Sequence, residues 1–137
     1  MIRGFSKMTM QGYTGRLTPS KENYLKVMLD LPNEESIRST DIASALGISK
    51  ASVSSMMNVL REAGYVTKEK YGAVSLTENG RKAAADTKRR YELLKKFLHD
   101  ILGVEAAIAA EDACRMEHLI SPETADQIDR QLEKLSE

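Results

Sequence analysis

The sequence predicts a mainly α-helical chain carrying one small β-hairpin, and three observations predict it. Apolar side chains recur at helical spacing through most of the chain. Glycines stand just past several of these stretches. Two short β-prone runs sit side by side near the middle, at 65–70 and 73–76. With 137 residues, 42% of them apolar, the chain can bury one sizeable core or two small ones.

Residues 1–18 mix Gly, Met, Thr and basic residues with no period, and read as a flexible N-terminal arm. Structure is expected from Ser20, preceded by Pro19. There Tyr24, Met28 and Leu31 fall at i, i+4 and i+7, and Pro32 closes the helix. Ser39 or Thr40 can cap a short second helix with Ile42, Ala45 and Leu46 as its apolar positions, and Gly47 supplies the left-handed residue that ends it. Ser49 caps a third helix. In it Val53, Met56, Met57 and Leu60 face a core, while Lys50, Ser52, Ser55 and Asn58 make a small, polar outer face; Gly64 stops it. Strands at 65–70 and 73–76 join at Tyr71 and Gly72 as a hairpin. Thr77 caps a long helix to about Leu102, with Tyr91, Leu94, Leu98 and Ile101 on one stripe and Gly103 at its end. A further helix covers Glu105 to His118, and Ser121-Pro122-Glu123 opens a last one bearing Ile128, Leu132 and Leu135. Two short helices around a glycine turn, followed by a two-stranded wing, give a winged helix-turn-helix over residues 19–78. Residues 79–137 are left as a helical domain suited to dimerisation.

The formal net charge is zero, but the charges are not evenly spread. Residues 38–96 hold twelve Lys/Arg against six Asp/Glu, and residues 97–137 hold three against ten. The basic middle suits phosphates; the acidic end suits cations or is a solvated helical surface. No run approaches the ~20 apolar residues of a membrane span. The first residues also lack the apolar core of a signal peptide, so a cytoplasmic location without membrane attachment is expected. A single cysteine, Cys114, makes no internal disulfide.

The helix opening at Ser49 has the residue types of a DNA reader. Ser49, Lys50, Ala51, Ser52 and Ser55 are mostly short, so the helix can approach base edges, and its free N–H groups favour phosphate. Lys68 and Lys70 on the wing, Tyr71 at its tip, and Arg38 and Thr40 at the second helix are placed for the flanking backbone. The bland reading is a winged helix used for protein contacts. Reading two half-sites of duplex DNA calls for a two-fold homodimer, whose natural surface is the helical second half.

Cys114, Glu117 and His118 stand at i, i+3 and i+4, a spacing that brings a thiolate, a carboxylate and an imidazole to one helical face within reach of a first-row divalent metal. The same residues also fit a small buried thiol beside two surface side chains. A thiol nucleophile with His118 as its base lacks an orienting third group and an oxyanion-binding loop, so no enzyme is expected. His99 reads as a surface residue.

The runs ENYLKVMLDL, STDIASALGISKASVSSMMNVLREAGYV, AVSLTENGRK and above all EDACRMEHLIS resemble the diphtheria toxin repressor family, which includes the manganese transport regulators, over about residues 20–135. The resemblance implies a metal-activated transcriptional repressor of the short, two-domain form: a winged helix followed by a helical metal-binding and dimerisation domain. Fe2+ or Mn2+, one ion per subunit, would favour the operator-binding arrangement. It puts Cys114, Glu117 and His118 on family metal-ligand positions, and Asn23 where the family supplies Met or Asp. Lys26 stands at a Glu ligand position of the manganese regulators and Tyr91 at a shared His position. Lys95 and Ala110 stand at ancillary ligand positions of the toxin repressor, which argues against a second metal. A cation joining Asn23 to the triplet would act by binding the DNA-competent arrangement more tightly than the other. The alternative is a winged-helix regulator that has lost metal control and answers to another ligand or to oxidation of Cys114.

Overall fold

The computed structural model describes residues 17–32, 36–69 and 72–136. The expected arm therefore falls almost wholly outside the described residues, as do Lys70 and Tyr71. The elements run α1 (Pro19–Asp30), α2 (Ser39–Leu46), α3 (Lys50–Glu62), β1 (Val66–Lys68), β2 (Val74–Leu76), α4 (Glu78–Lys96), a π-helical turn (Phe97–Ile101), α5 (Ala106–Met116) and α6 (Pro122–Ser136). The chain divides into two compact units: Ser20–Lys88, and a second that includes everything from Arg89 onward.

The first unit is the winged helix. Helix α1 buries Tyr24, Leu25 and Met28, and α3 buries Val53, Met57 and Leu60 at i, i+4 and i+7. Each fully buried aliphatic side chain of this kind stabilises by about 1.5–3 kcal/mol. Between α2 and α3, Gly47 takes φ 67, and the amides of Gly47 and Ile48 both bond the Ala43 carbonyl, closing the tight turn that the sequence places there. One detail differs. Arg38, not Ser39 or Thr40, is the N-cap of α2 and gives no side-chain cap; both hydroxyl residues lie inside the first turn.

The wing is shorter than its β-prone runs. Register pairs Val66 with Leu76, Thr67 with Ser75 and Lys68 with Val74, and Gly72 sits at φ 80 beyond them. Ile37 adds a bridge to Val74 through two backbone bonds of 2.8 and 2.7 Å, so the β2 edge is partly covered. Thr77 caps α4 as expected, accepting the Gly80 amide at 3.1 Å.

In the second unit Leu94 and Leu98 pack with Ala109 and Ala113, with Tyr91, Val104, Met116, Ile120 and Ile128 against them. Both pairs are spaced i, i+4, and the alanines let the helices approach closely. The long helix does not stay α-helical to Leu102. The Leu102 amide bonds the Phe97 carbonyl five residues back, at 3.2 Å, which widens the turn and carries Ile101 off the stripe to an exposed position. Helix α6 is capped by Ser121, whose Oγ accepts the Thr124 amide at 3.1 Å. Of its expected stripe Ile128 and Leu132 are half-buried and Leu135 is exposed.

Candidate metal centre and nucleic-acid interface

Helix α3 presents the exposed polar face. Ser49 is its N-cap: Oγ accepts the Ser52 amide at 3.2 Å and donates to Ser52 Oγ at 3.0 Å. Lys50, Ala51, Ser52 and Ser55 are exposed, as are Arg38, Thr40 and Lys68. Between α3 and the wing lies a cleft of about 310 Å³ whose lining includes Asn58, Arg61 and Lys68. Two cations on a concave polar surface suit a phosphate strand. The outer face of the wing has an internal tie: the Thr67 and Ser75 hydroxyls meet at 2.8 Å and each lies 3.1 Å from Glu69 Oε1, so their two protons serve two of these three contacts. Sequence reasoning missed Glu69; its place directly after a Thr-Lys pair at a strand end was the available signal.

On α5, Cys114 is exposed, whereas Glu117 and His118 are buried at 0% and 5% exposure. Glu117 Oε1 and His118 Nε2 stand 3.1 Å apart. The helix ends at Met116, and Glu117 is its C-cap, so the i, i+3, i+4 geometry of an unbroken helix stops short of His118. Among the described residues no three His, Cys, Asp or Glu side chains converge as a ready-made metal cage. Asn23 is half-buried on α1, in the other unit.

The buried pair fits a divalent cation in kind. A carboxylate and an imidazole are drawn out of water, where an isolated charge is costly, and their donor atoms are brought into contact. Glu117 is further held by Arg90, whose Nε donates to the Glu117 carbonyl at 2.6 Å; Arg90 itself is only 2% exposed. Sequence reasoning passed over Arg90 because it belongs to the run Lys88-Arg89-Arg90, which reads as solvated charge. The helical period held the signal, since Arg90 lies three residues after buried Thr87 and four before buried Leu94.

Of the residues that the resemblance sets at further ligand positions, Lys95 is a cation. Lys95 Nζ lies 5.2 Å from the Tyr91 ring centroid and 3.6 Å from Glu92 Oε2. Ala110, Lys95, Lys96 and His99 all line a cavity of about 390 Å³.

Residues 16–74 match the model of the iron dependent repressor N-terminal DNA binding domain, and residues 77–137 that of the iron dependent repressor metal binding and dimerisation domain. The chain belongs to the iron-dependent repressor family. It is similar to an uncharacterized HTH-type transcriptional regulator of Methanocaldococcus jannaschii, 31% identical over 123 residues that cover 88% of this chain and 98% of that one. It is also similar to the transcriptional regulator MntR of Salmonella typhimurium, 35% identical over 106 residues, 77% of this chain and 67% of MntR. The solved structure of the manganese regulator SloR matches with a TM-score of 0.72 at 30% identity, over 85% of this chain and 55% of SloR, so the chain spans about half of that structure's length. Within the iron-dependent repressor frame, α2, α3, β1 and the first residue of β2 fall in the matched DNA binding domain, and the Glu117–His118 pair falls in the metal binding and dimerisation domain. Among the described residues no helix is long and apolar enough to cross a membrane.

Proposed function

We propose that this chain is a metal-responsive transcriptional repressor that binds an operator in duplex DNA as a homodimer in the cytoplasm, with Fe2+ or Mn2+, one ion per subunit, as its signal. The observation that carries the reading is the buried contact of Glu117 with His118 at the end of α5. These two residues would hold the ion; Cys114 joins them through its spacing and the family resemblance, and Asn23 through the resemblance alone. When bound, the ion supplies a positive charge that the buried carboxylate and imidazole satisfy. The occupied state gains over the free state only by its differential affinity for the DNA-competent arrangement. DNA contact is assigned to Ser49, Lys50, Ala51, Ser52 and Ser55 of the α3 N-terminal half, with Arg38, Thr40 and the wing residues Lys68, Lys70 and Tyr71 on the backbone. The Lys95 ammonium near Tyr91 supports a single ion rather than two, since a fixed cation opposes a second one nearby.

The test is metal analysis of protein purified without chelator, followed by DNA binding with Mn2+, Fe2+, Co2+ and Zn2+ in turn. The parent should bind duplex more tightly with one of these ions, and E117Q and H118A should lose that gain while keeping their metal-free DNA affinity. Equal DNA affinity with and without every ion would refute metal control. A second reading rests on the exposure of Cys114: oxidation of the thiol regulates DNA binding in place of a metal. Peroxide would then change DNA affinity in the parent, reversibly with dithiothreitol, and leave C114S unaffected.

A further inference from the structure

We propose that Arg90 is the positioning residue of the Glu117–His118 pair, clamping the one peptide group that joins the two metal donors; this rests on the metal-binding reading above. The carbonyl oxygen that accepts from Arg90 Nε at 2.6 Å belongs to the peptide bond between Glu117 and His118. That group is a rigid plane carrying the Cα atoms of both residues, so holding it leaves only ψ of Glu117 and φ of His118 to vary between the two side chains. It also lies at a place where the chain would otherwise be loose. Glu117 is the C-cap of α5, and carbonyls in a last helical turn have no amide four residues on to hold them. A planar guanidinium, itself 2% exposed and rooted on α4, fills this position with a directional donor where a water molecule would leave the plane free to rotate. The Glu117 amide is tied as well, to the Ala113 carbonyl at 2.9 Å, so the main chain is fixed on both sides of Glu117. The buried carboxylate and imidazole leave this clamped segment with Oε1 and Nε2 3.1 Å apart. In metal sites, groups that orient the ligands typically change affinity by about 10–100-fold when removed.

The experiment uses the full chain, Co2+ as the probe, and three readouts: the Co2+ dissociation constant, the visible d–d spectrum, and the urea midpoint of the metal-free protein. R90M should weaken Co2+ binding by about 10–100-fold and alter the d–d bands. R90K keeps the charge and a shorter, rotatable donor; it should weaken binding several-fold, and it decides the question if R90M does not fold. The control L94A removes a core side chain one turn along α4 that makes none of the hydrogen bonds holding Glu117; at comparable loss of urea midpoint it should keep the parent's Co2+ affinity and spectrum. The proposal is overturned if the Arg90 variants that fold keep the parent's affinity and bands, or if L94A loses Co2+ as they do. A parent that binds no Co2+, or an E117Q variant that binds it unchanged, removes the metal reading itself and the Arg90 role with it.

Discussion

The Ser49 hydroxyl closes the first turn of α3 with bonds to Ser52, so the helix end proposed for DNA contact is organised by its own side chains. S49A should cost about 1 kcal/mol of stability, measured as a lower urea midpoint. Lys50, exposed one residue on, should act by charge: K50A should weaken binding about equally on all duplex sequences and reduce the salt slope by roughly one. Tyr24 gives a pH signature. Burial raises its phenol above the ordinary 10.0, so the folded chain keeps the proton that the unfolded chain releases. Its contribution is intact below pH 10.0 and is lost as pH rises through the raised value. Y24F, which cannot titrate, should therefore lose less stability than the parent between pH 9 and pH 11 in urea titrations. At this scale the sequence was legible where a residue acts on its near neighbours, as Ser49 does. Arg90 was hidden because its partner is 27 residues away in the chain.

Most helices lie close to where the apolar period puts them, because amphipathic spacing and caps are properties of the element itself. The exceptions come from contacts between elements. Gly80 lies in the first turn of α4, a position where glycine only weakens a helix, and nothing local explains it. A Cβ there would overlap the Tyr65 carbonyl oxygen, which already accepts the Thr77 amide at 3.0 Å. Since that oxygen is main chain and cannot swing aside, G80A should destabilise by about 1–3 kcal/mol despite alanine's better helix propensity, read from thermal or urea unfolding. The end of α5 was misplaced for a related reason. Spacing places Cys114, Glu117 and His118 on one face of an ideal helix, but the helix stops at Met116, and the buried pair is set by the turn beyond it.

For the molecule as a whole, zero net charge hides an uneven spread of charge. The basic residues concentrate between 38 and 96, within which lie α3 and the wing. DNA affinity should fall steeply with salt, with a log–log slope set by the number of phosphates neutralised and not by the overall charge. A flat response in fluorescence anisotropy between about 50 and 200 mM salt would refute this. A winged helix followed by a helical segment was legible from composition and pattern; the π-helical turn was not. That turn has a consequence for how the chain can change. It is a helix holding one residue of slack, so deleting a single position between Phe97 and Ile101 should tighten it to ordinary α pitch rather than break it, rotating the chain after Leu102. Gains and losses of chain length, usually confined to loops, here have an outlet inside a helix.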